Sequence, residues 1–401
     1  MKARILVSAY SAEPEAGSES GAGYSIVRAA ASFGEVWVIT RANNLEKLRK
    51  ALDADPPEHD VHTIPLEVSE RTLALKRRFN AVRPYYVLWQ RQVARTAAEL
   101  DQAIDFSLVH HATMSAFWMP IGVSRLNKPL VVGPISGGTF TPRSLLSQLG
   151  SAGLVKDTIR YVNAHACTFV NRDVWQNADV VIAQNREMER FSRNRLRVRG
   201  ETLVQSHASN PPVQGPVPRD HRDRLVLFVG RLITWKGVLL ALEAFKRLDH
   251  PMAQLWFVGE GPAKSLIERR LKKLDLEASV RLPGALPRPE VLALMRRASC
   301  LIFPSFHDSA GFVVSEALAL GLPVVCLDHG GPGQLARTWS GTESVAVMPT
   351  TLNQTREALT TGIRRFVENP EPSASATVPA DQTLNSTIPH AYELALRRAS
   401  T

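Results

Sequence analysis

The sequence predicts an α/β protein made of two Rossmann-like, doubly wound parallel-sheet domains that face a central cleft. Three observations lead to this prediction. Apolar runs of strand length alternate with stretches of helical periodicity along most of the chain. A proline-rich segment at 209–221 interrupts the alternation, which then starts again. The length of 401 residues is enough for two or three domains, each with its own core.

The first domain is predicted to span residues 1–208. Its strand candidates are short runs of apolar or β-branched residues, which is typical of parallel strands covered on both faces. In chain order they are ARILVSAY, EVWVIT, VHTIPL, FSLVHH, KPLVVG and DVVIA. The stretches between these runs are predicted to be helices.

The linker is predicted at 209–221, because its prolines exclude a regular helix and disfavour an interior strand. The second domain is predicted at 222–385. Its strand candidates are RLVLFVG, AQLWFVG, SVRLPG, SCLIFP and LPVVCL, and they alternate with helical stretches such as GVLLALEAFKRL. The last residues, 386–401, are predicted to form a helix, for which a return to the N-terminal domain is one option.

The charge balance predicts a surface that attracts anions. The chain has 48 Lys and Arg against 38 Asp and Glu, a formal net charge of +10. Nucleotide phosphates, anionic lipid headgroups and nucleic acid are therefore the candidate partners. We rank nucleic acid last and expect none, because no zinc-finger, RRM or helix-turn-helix pattern occurs in a suitable context.

The cysteines and apolar segments bear on location. Cys167, Cys300 and Cys326 are an odd number at wide spacing, which indicates neither a disulfide framework nor a zinc site. The N-terminal sequence does not have the pattern of an export signal, and the uncharged stretch 106–124 is too polar for a membrane helix. We expect a cytoplasmic protein, either soluble or peripheral on the inner face of the plasma membrane.

The loop after the first predicted strand is rich in glycine. Gly17, Gly21 and Gly23 precede a helical stretch, so a phosphate or sugar could approach the backbone at a helix N-terminus. The spacing is not G-x-G-x-x-G, and the second strand ends in Thr40 and Arg41 instead of the acid that binds an NAD ribose, which disfavours a dehydrogenase. A turn that serves only chain geometry is the alternative.

The second domain begins with FVGRLITWKG, in which a buried strand ends at Gly230. Arg231 and Lys236 then flank the opening of a helix. Two cations at this place suit a diphosphate, whose charge in the transition state needs fixed positive partners where no metal supplies them. A solvated surface pair is the alternative.

The stretch IFPSFHDSAGFVVSEALALG is the most specific part of the chain. Asp308 follows a predicted strand, and Glu316 comes eight residues later in a helix that begins near Gly311. Gly311 permits close approach of the backbone, so the amides of Phe312 and Val313 could face a phosphate. Glu316 could accept hydrogen bonds from ribose hydroxyls, and Asp308 from sugar hydroxyls.

Taken together, these segments resemble one protein family. VGRL…WKG, FVGEGP, PSFHDSAGFVVSEALALGLPVV and HGGPG occur in order in the second domain, and AGSESGAGY, LVHHAT and PLVVGPISGGTFTP agree with the first. Over roughly residues 1–340, the joint pattern is similar to the family 4 retaining glycosyltransferases, the group 1 glycosyl transferases, which have the GT-B fold.

The resemblance implies a retaining hexosyltransferase that takes a sugar from a nucleotide-diphosphate donor, without a metal ion or other cofactor. Arg231 and Lys236 would hold the diphosphate and Glu316 the ribose, and Asp308 takes the place of the first carboxylate of the family's E-x7-E pattern. The donor-binding residues implied in this way are Gly17, Gly21, Gly23, Gly230, Arg231, Lys236, Glu260, Asp308, Ser309, Gly311, Phe312, Val313 and Glu316.

The resemblance also places a histidine of the fourth strand, His110 or His111, near the donor sugar or the reacting centre. Because side chains alternate across a strand, we expect one of the two to face the site. These histidines join Arg231, Lys236 and Asp308 as the implied catalytic residues.

Two positions depart from the family pattern. Asp308 is shorter than the usual Glu, and Gln334 stands where many members have the Glu of GG-x-x-E. A catalytically silent nucleotide-sugar-binding or membrane-scaffold protein, a GT-B sugar phosphorylase and a nucleotide-sugar epimerase are the alternatives. Whether the donor is a UDP-sugar or a GDP-sugar is left open, as are the acceptor, the linkage and the oligomeric state.

Residues 71–98 contain seven Arg or Lys, no acid, and an apolar stripe with helical spacing, which Pro84 is expected to kink or split. The helix either packs on its own sheet with a solvated basic face or docks on an anionic membrane near a lipid-linked acceptor. The second option would suit surface polysaccharide or lipopolysaccharide synthesis. The residues expected at the membrane or acceptor are Lys76, Arg77, Arg78, Arg83, Tyr86 and Trp89.

Overall fold

The computed structural model describes residues 2–14, 19–79, 81–114, 116–209, 223–369 and 378–400. It divides into two compact units. The first unit comprises residues 1–138, 163–210 and 380–401, and the second comprises residues 139–162 and 211–379. Each unit is built on one sheet of parallel strands, so the predicted α/β class with two parallel sheets is confirmed.

The first unit has a sheet of seven strands in the order β3-β2-β1-β4-β5-β6-β7. Six of them coincide with predicted runs, whereas β7 is short and only half-apolar and was not predicted. The strands are β1 (Ala3–Ser8), β2 (Gly34–Thr40), β3 (Val61–Pro65), β4 (Leu108–His111), β5 (Leu130–Ile135), β6 (Val180–Ala183) and β7 (Glu201–Val204).

Helices connect these strands on both faces of the sheet. Pro84 splits the basic stretch, because one helix ends at Phe79 and the next begins at Val82, with Pro84 in its first turn. In chain order, the helices up to residue 191 are α1 (Glu19–Ala31), α2 (Leu45–Ala54), α3 (Glu70–Phe79), α4 (Val82–Ile104), α5 (Gly150–Ala166), α6 (Arg172–Asn177) and α7 (Arg186–Phe191). Of these, α5 belongs for the most part to the second unit.

The second unit has a sheet of six strands in the order β10-β9-β8-β11-β12-β13. The short β13 follows residue 338, where the sequence pattern weakens, and it was not predicted. The strands are β8 (Leu225–Val229), β9 (Gln254–Val258), β10 (Val280–Gly284), β11 (Cys300–Phe303), β12 (Val324–Leu327) and β13 (Ser344–Val347). The helices are α8 (Val238–Leu248), α9 (Lys264–Leu274), α10 (Arg288–Arg297), α11 (Phe312–Ala319), α12 (Gly330–Thr338) and α13 (Leu352–Glu368).

The C-terminal helix, α14 (Leu384–Ala399), packs in the first unit although it follows the second along the chain. Its apolar face enters the same core as Ile5 and Val7 of β1 and Ile26 of α1. Side chains that recur every three or four residues lie on one face of a helix, which explains the set that is buried. These residues are Leu384, Ile388, Ala391, Tyr392 and Ala395.

The unit boundaries differ in part from those predicted. The segment 139–162 was assigned to the N-terminal domain from chain order, but it packs with the second unit. Side chains of α5 bind residues of the second unit that are more than a hundred positions away, which chain order does not reveal. Residues 210–222, which make up most of the predicted linker, lie outside the described residues.

Candidate functional site

The second unit brings together the loops that follow β8 and β11. These strands are neighbours where the strand order reverses, and a parallel sheet opens a crevice at such a point. The N–H of Phe306 donates to the carbonyl of Trp235 at 2.9 Å, which ties the two loops together. Gly237 has a φ of 74°, and a Cβ there would lie 2.0 Å from the carbonyl oxygen of Pro304, so only glycine fits.

Lys236 and Asp308 form an ion pair at this crevice, with Lys236 Nζ donating to Oδ2. Oδ1 accepts from the N–H groups of Ala310 at 3.2 Å and Gly311 at 2.9 Å. Burial alone raises the pKa of Asp308, but the charge and hydrogen bond of Lys236, together with the two amides, outweigh it and the net pKa is lowered. Asp308 is therefore a carboxylate held in a fixed orientation.

The helix α11 begins directly after this turn. Gly311 precedes it with a φ of 79°, and a Cβ there would lie 3.0 Å from the backbone nitrogen of Pro332. Phe312 and Val313 are the first two residues of the helix, where helical geometry gives an N–H no acceptor. Their amides thus lie next to the Lys236–Asp308 pair at a place suited to an anion.

Glu316 lies one turn further along α11. Its Oε1 accepts from Nε of Arg288 at 3.2 Å and from Nη2 at 2.9 Å. Arg288 is the first residue of α10, which follows β10. Sequence analysis missed Arg288, although a basic residue just after a predicted parallel strand is a signal that could have found it.

Arg231 and Glu260 follow β8 and β9 at the same edge of the sheet. The exposed side chain of Arg231 makes no ion pair with any residue that the structure describes. Glu260 pairs with Lys264 at 3.2 Å on the first turn of α9. Gly230 and Ser309 lie within the two loops. Unpaired Arg231 is thus a cation available to a ligand in the loop after β8.

A buried histidine, which sequence analysis also missed, connects α5 to the site. His307, next to Asp308, accepts on Nδ1 from Arg160 Nη1 at 2.7 Å, and its Nε2 lies 3.5 Å from Asp157 Oδ1. The ring stacks on Trp235 with centroids 5.4 Å apart. Burial, aided by the Arg160 charge, lowers the pKa of His307 to about 3. The imidazole is therefore neutral and bridges a cation and an anion.

In the first unit, His110 and His111 end β4, and both are buried. His110 donates from Nε2 to the carbonyl of Gly133 and accepts on Nδ1 from the hydroxyl of Tyr392, both at 2.8 Å. Both ring nitrogens are therefore occupied inside the core between β5 and α14. His110 has nothing left for a ligand, which corrects its assignment as a catalytic candidate.

His111 differs from its neighbour. Its Nε2 lies 3.3 Å from the hydroxyl of Tyr86, while Nδ1 has no hydrogen-bond partner in the part of the chain that is described. Burial, and then the charge of His110, lower the pKa of His111 to about 3, so the ring is neutral. A buried ring nitrogen without a hydrogen-bond partner carries a desolvation cost, and this one has an acceptor position open. Of the two predicted histidines, His111 stays the candidate.

The glycines of the first loop have separate outcomes. Gly17 lies outside the described residues. Gly21 is in the first turns of α1, and its carbonyl accepts from the Ser25 hydroxyl at 3.2 Å. A Cβ on Gly23 would lie 2.1 Å from the carbonyl oxygen of Ser11, so this glycine lets α1 approach the loop after β1. For Gly23 the structure therefore supports the chain-geometry alternative.

The basic stretch divides into an exposed and a buried part. No residue of α3 is buried, and Leu75 and Phe79 are 54% and 66% exposed. Tyr86 and Trp89 of α4, however, are fully buried. Their assignment to a membrane surface is wrong, because their part of the apolar stripe packs against the core of the first unit. Lys76, Arg77, Arg78 and Arg83 stay at least partly exposed.

Among the described residues, none of the helices combines the length and the apolar character needed to cross a membrane.

Comparison with protein families gives one match, which falls on the unit that holds the Lys236–Asp308 pair. Residues 213–379 match the model of the group 1 glycosyl transferases. This part of the chain is therefore similar to the group 1 glycosyl transferases. The match includes every donor-site residue predicted after the linker, from Gly230 to Glu316.

Solved structures share the fold over nearly the whole chain. Sucrose-phosphate synthase from Thermosynechococcus elongatus superimposes with a TM-score of 0.56 at 19% identity, covering 100% of this chain and 98% of that chain. Anabaena HepE in complex with UDP-glucose superimposes with a TM-score of 0.53 at 16% identity, covering 99% and 100%. The chain therefore has the GT-B fold.

Curated relatives are similar to part of the chain. Glycogen synthase of Mycobacterium tuberculosis is 31% identical over 163 residues, which are 40% of this chain and 38% of the relative. The aligned stretches span less than half of the length of the curated relatives. The match to the family model, by contrast, is located within the second unit.

Proposed function

We propose that the protein is a glycosyltransferase that transfers a sugar from a UDP- or GDP-linked donor to a sugar or lipid-linked acceptor. The observation that carries this proposal is the Lys236–Asp308 pair next to the first amides of α11, to which Arg231 after β8 adds a second cation. Such a set offers positive partners to a diphosphate and an acceptor to a sugar hydroxyl. The UDP-glucose complex of Anabaena HepE, which has the same fold, supports a uridine nucleotide.

The roles follow from charge and position. As the bond to the leaving diphosphate breaks, negative charge grows on its oxygens, and Arg231 and Lys236 are placed to balance it together with the amides of Phe312 and Val313. Asp308 already holds Lys236, so a bound diphosphate shares a lysine whose ammonium group is fixed. Asp308 would then accept from a hydroxyl of the donor sugar, and Glu316 from the ribose.

We further propose a retaining, metal-independent reaction on one face of the sugar. The departing phosphate oxygen takes the proton of the acceptor hydroxyl as the new glycosidic bond forms at the carbon that it leaves. The two cations supply the positive charge that such a leaving group needs. His111 of the first unit, neutral and with a free Nδ1, is the histidine that we assign to the sugar or the reacting centre.

Calorimetry with UDP-, GDP-, ADP- and dTDP-sugars tests the donor site on the wild type, Glu316→Ala and Lys236→Ala. We expect one donor to bind and its binding to weaken in both variants. Turnover in Lys236→Ala should fall about 10²- to 10³-fold, the loss typical of one donor removed from a charge-stabilising site. Near-normal turnover in that variant would contradict the role of Lys236.

Two other results would select the alternatives. Donor binding without turnover under any acceptor would favour a catalytically silent nucleotide-sugar-binding protein, and phosphate-dependent cleavage of an oligosaccharide would favour a phosphorylase. Binding of no donor at all would count against the whole proposal.

We also propose that α3 docks on an anionic membrane, as suits a lipid-linked acceptor of surface polysaccharide or lipopolysaccharide synthesis. Leu75 and Phe79 are exposed on the helix that carries Lys76, Arg77 and Arg78. Exposed apolar side chains next to cations favour the headgroup region of anionic bilayers. This surface consists of Leu75, Lys76, Arg77, Arg78, Phe79 and Arg83, without Tyr86 and Trp89.

Vesicle flotation tests the membrane proposal. The wild type should float with vesicles that contain phosphatidylglycerol and not with pure phosphatidylcholine. Reversing two charges by Arg77→Glu and Arg78→Glu should abolish flotation, whereas Lys272→Glu and Lys273→Glu on exposed α9 make the same charge change elsewhere and should not. Equal loss in both double variants would mean that net charge, not α3, attracts the protein.

A further inference from the structure

The ion pair between Arg288 and Glu316 joins two helices of the second unit that follow different strands. Arg288 opens α10 after β10, and Glu316 lies in α11 after β11. Nε and Nη2 of Arg288 donate to the same carboxylate oxygen, Oε1, at 3.2 and 2.9 Å. Two hydrogen bonds from one planar guanidinium hold Oε1 in position.

This pair differs from an ordinary surface pair on the same helix. The side chain of Glu316 is 15% exposed, whereas Arg297 at the other end of α10 and its partner Asp223 are 66% and 49% exposed. Exposed pairs contribute little to the order of their side chains, because solvent screens them and the side chains keep their freedom. Glu316 is held in one orientation by a partner, while Arg297 offers a matched control.

The pairing leaves half of the Glu316 carboxylate open. Both hydrogen bonds fall on Oε1, and Oε2 accepts none from the described residues. An ionised carboxylate accepts on both oxygens, and two neighbouring hydroxyls of a ribose are donors of matching spacing.

We propose that Arg288 is a positioning residue that orients Glu316 for the 2′- and 3′-hydroxyls of a ribonucleoside diphosphate. This rests on the proposed function, in which Glu316 binds the ribose. Arg288 acts through Glu316 and not by touching the nucleotide. This positioning makes the site selective for ribonucleotides, because a nucleotide that lacks the 2′-hydroxyl gains less binding free energy from an oriented carboxylate.

Calorimetric titration with UDP and with 2′-deoxy-UDP tests this role, since the two ligands share base and diphosphate. The wild type should prefer UDP. Arg288→Ala should weaken UDP binding about tenfold, the effect of losing one well-placed charge-assisted hydrogen bond. Binding of 2′-deoxy-UDP should weaken much less, so the preference shrinks. Arg288→Lys should fall between the two, and Arg297→Ala should behave as the wild type.

The double variant Arg288→Ala/Glu316→Ala decides how Arg288 acts. If Arg288 works through Glu316, its removal changes UDP affinity little once Glu316 is absent. Independent losses that multiply would instead mean that Arg288 touches the nucleotide, and would overturn the positioning role. Unchanged or tighter UDP binding by Arg288→Ala would also overturn it, as Arg288 would then be idle or compete with the ribose.

The same titrations separate this proposal from the proposed function. If the wild type binds UDP but Arg288→Ala does not alter the preference over 2′-deoxy-UDP, only the positioning role fails. If the wild type binds neither UDP nor any other nucleoside diphosphate, the donor site and the positioning role fall together. Thermal unfolding of each variant shows that a lost affinity is not a lost fold.

Discussion

At the scale of single residues, the candidate site depends on charges that balance each other before any ligand arrives. Asp308 is a nearly buried carboxylate, and its charge is tolerable because Lys236 and two amides face it. An aspartate reaches about one methylene less far than the glutamate usual in the family. Its two-amide anchor on Oδ1 fixes the turn that opens α11, so this short side chain holds the loop as well as the lysine.

The lowered pKa of Asp308 predicts that the free energy of unfolding depends on pH. Its pKa is lower in the folded protein than in the unfolded chain, where it is about 3.9, so its contribution is complete above that value and is lost as the pH falls below it. Asp308→Asn should lower the free energy of unfolding by about 2 kcal/mol at pH 7 and by clearly less at pH 3. Urea unfolding at both pH values measures this.

Glu277→Gln serves as the control for that experiment, because Glu277 is an exposed carboxylate. It should change the free energy of unfolding little at either pH. A deficit of Asp308→Asn that is the same at pH 3 and pH 7 would show that the Asp308 charge does not stabilise the fold.

At the scale of elements, α5 braces the site of the second unit. Arg160 and Asp157 of this helix contact the two ring nitrogens of His307, whose ring stacks on Trp235. His307 precedes Asp308, and Trp235 precedes Lys236 in the chain. The helix therefore supports both members of the ion pair through their neighbours, which is a way to hold two loops in register without adding a residue to the site.

His307→Ala should destabilise the protein because it removes the imidazole partner of two partly buried charged groups, Asp157 and Arg160. We expect the free energy of unfolding to fall by about 2 kcal/mol, the usual consequence of unsatisfied buried polar groups. Thr158→Ala changes an exposed residue of the same helix and should have little effect. Denaturant unfolding of both variants provides the comparison. Equal unfolding midpoints would show that the contacts of α5 with His307 do not stabilise the fold.

At the scale of the whole molecule, the chain returns to its first unit at the end. The face of α14 that carries Tyr392 completes the core formed by β1 and α1, and its hydroxyl satisfies His110. His110, which sequence analysis gave as a catalytic candidate, thus connects β4 near the start of the chain to α14 at its end. Its pKa is lowered to about 4 by burial, although the Gly133 carbonyl opposes this, so it stays neutral.

Tyr392→Phe should lower the free energy of unfolding by about 1 to 3 kcal/mol, because Nδ1 of His110 is left buried without a donor. Nucleotide binding should not change, since the predicted donor residues of the second unit lie elsewhere in the chain. Chemical denaturation and calorimetry on the same variant measure the two effects. Tyr161→Phe, on an exposed tyrosine, is the control. Loss of nucleotide affinity together with stability would contradict this separation.

The sequence by itself determined the two parallel sheets and the positions after β8 and β11 where Arg231, Lys236, Asp308 and Glu316 lie. These features are local, because hydrophobic periodicity and the end of a strand depend on consecutive residues. It also named Pro84 as the break between α3 and α4, since the proline ring acts on its own turn.

Only the tertiary structure decided which groups meet. His110 and Tyr392 are 282 positions apart in the chain, and Arg288 and Glu316 are 28 positions apart, so the packing that brings each pair together is not encoded by a local pattern. The same packing buried Tyr86 and Trp89 and left Leu75 and Phe79 exposed, although all four share one helical stripe. The position of a residue in the periodic pattern indicates which face of its helix or strand it occupies. The residues that it contacts depend on which other part of the chain packs against that face.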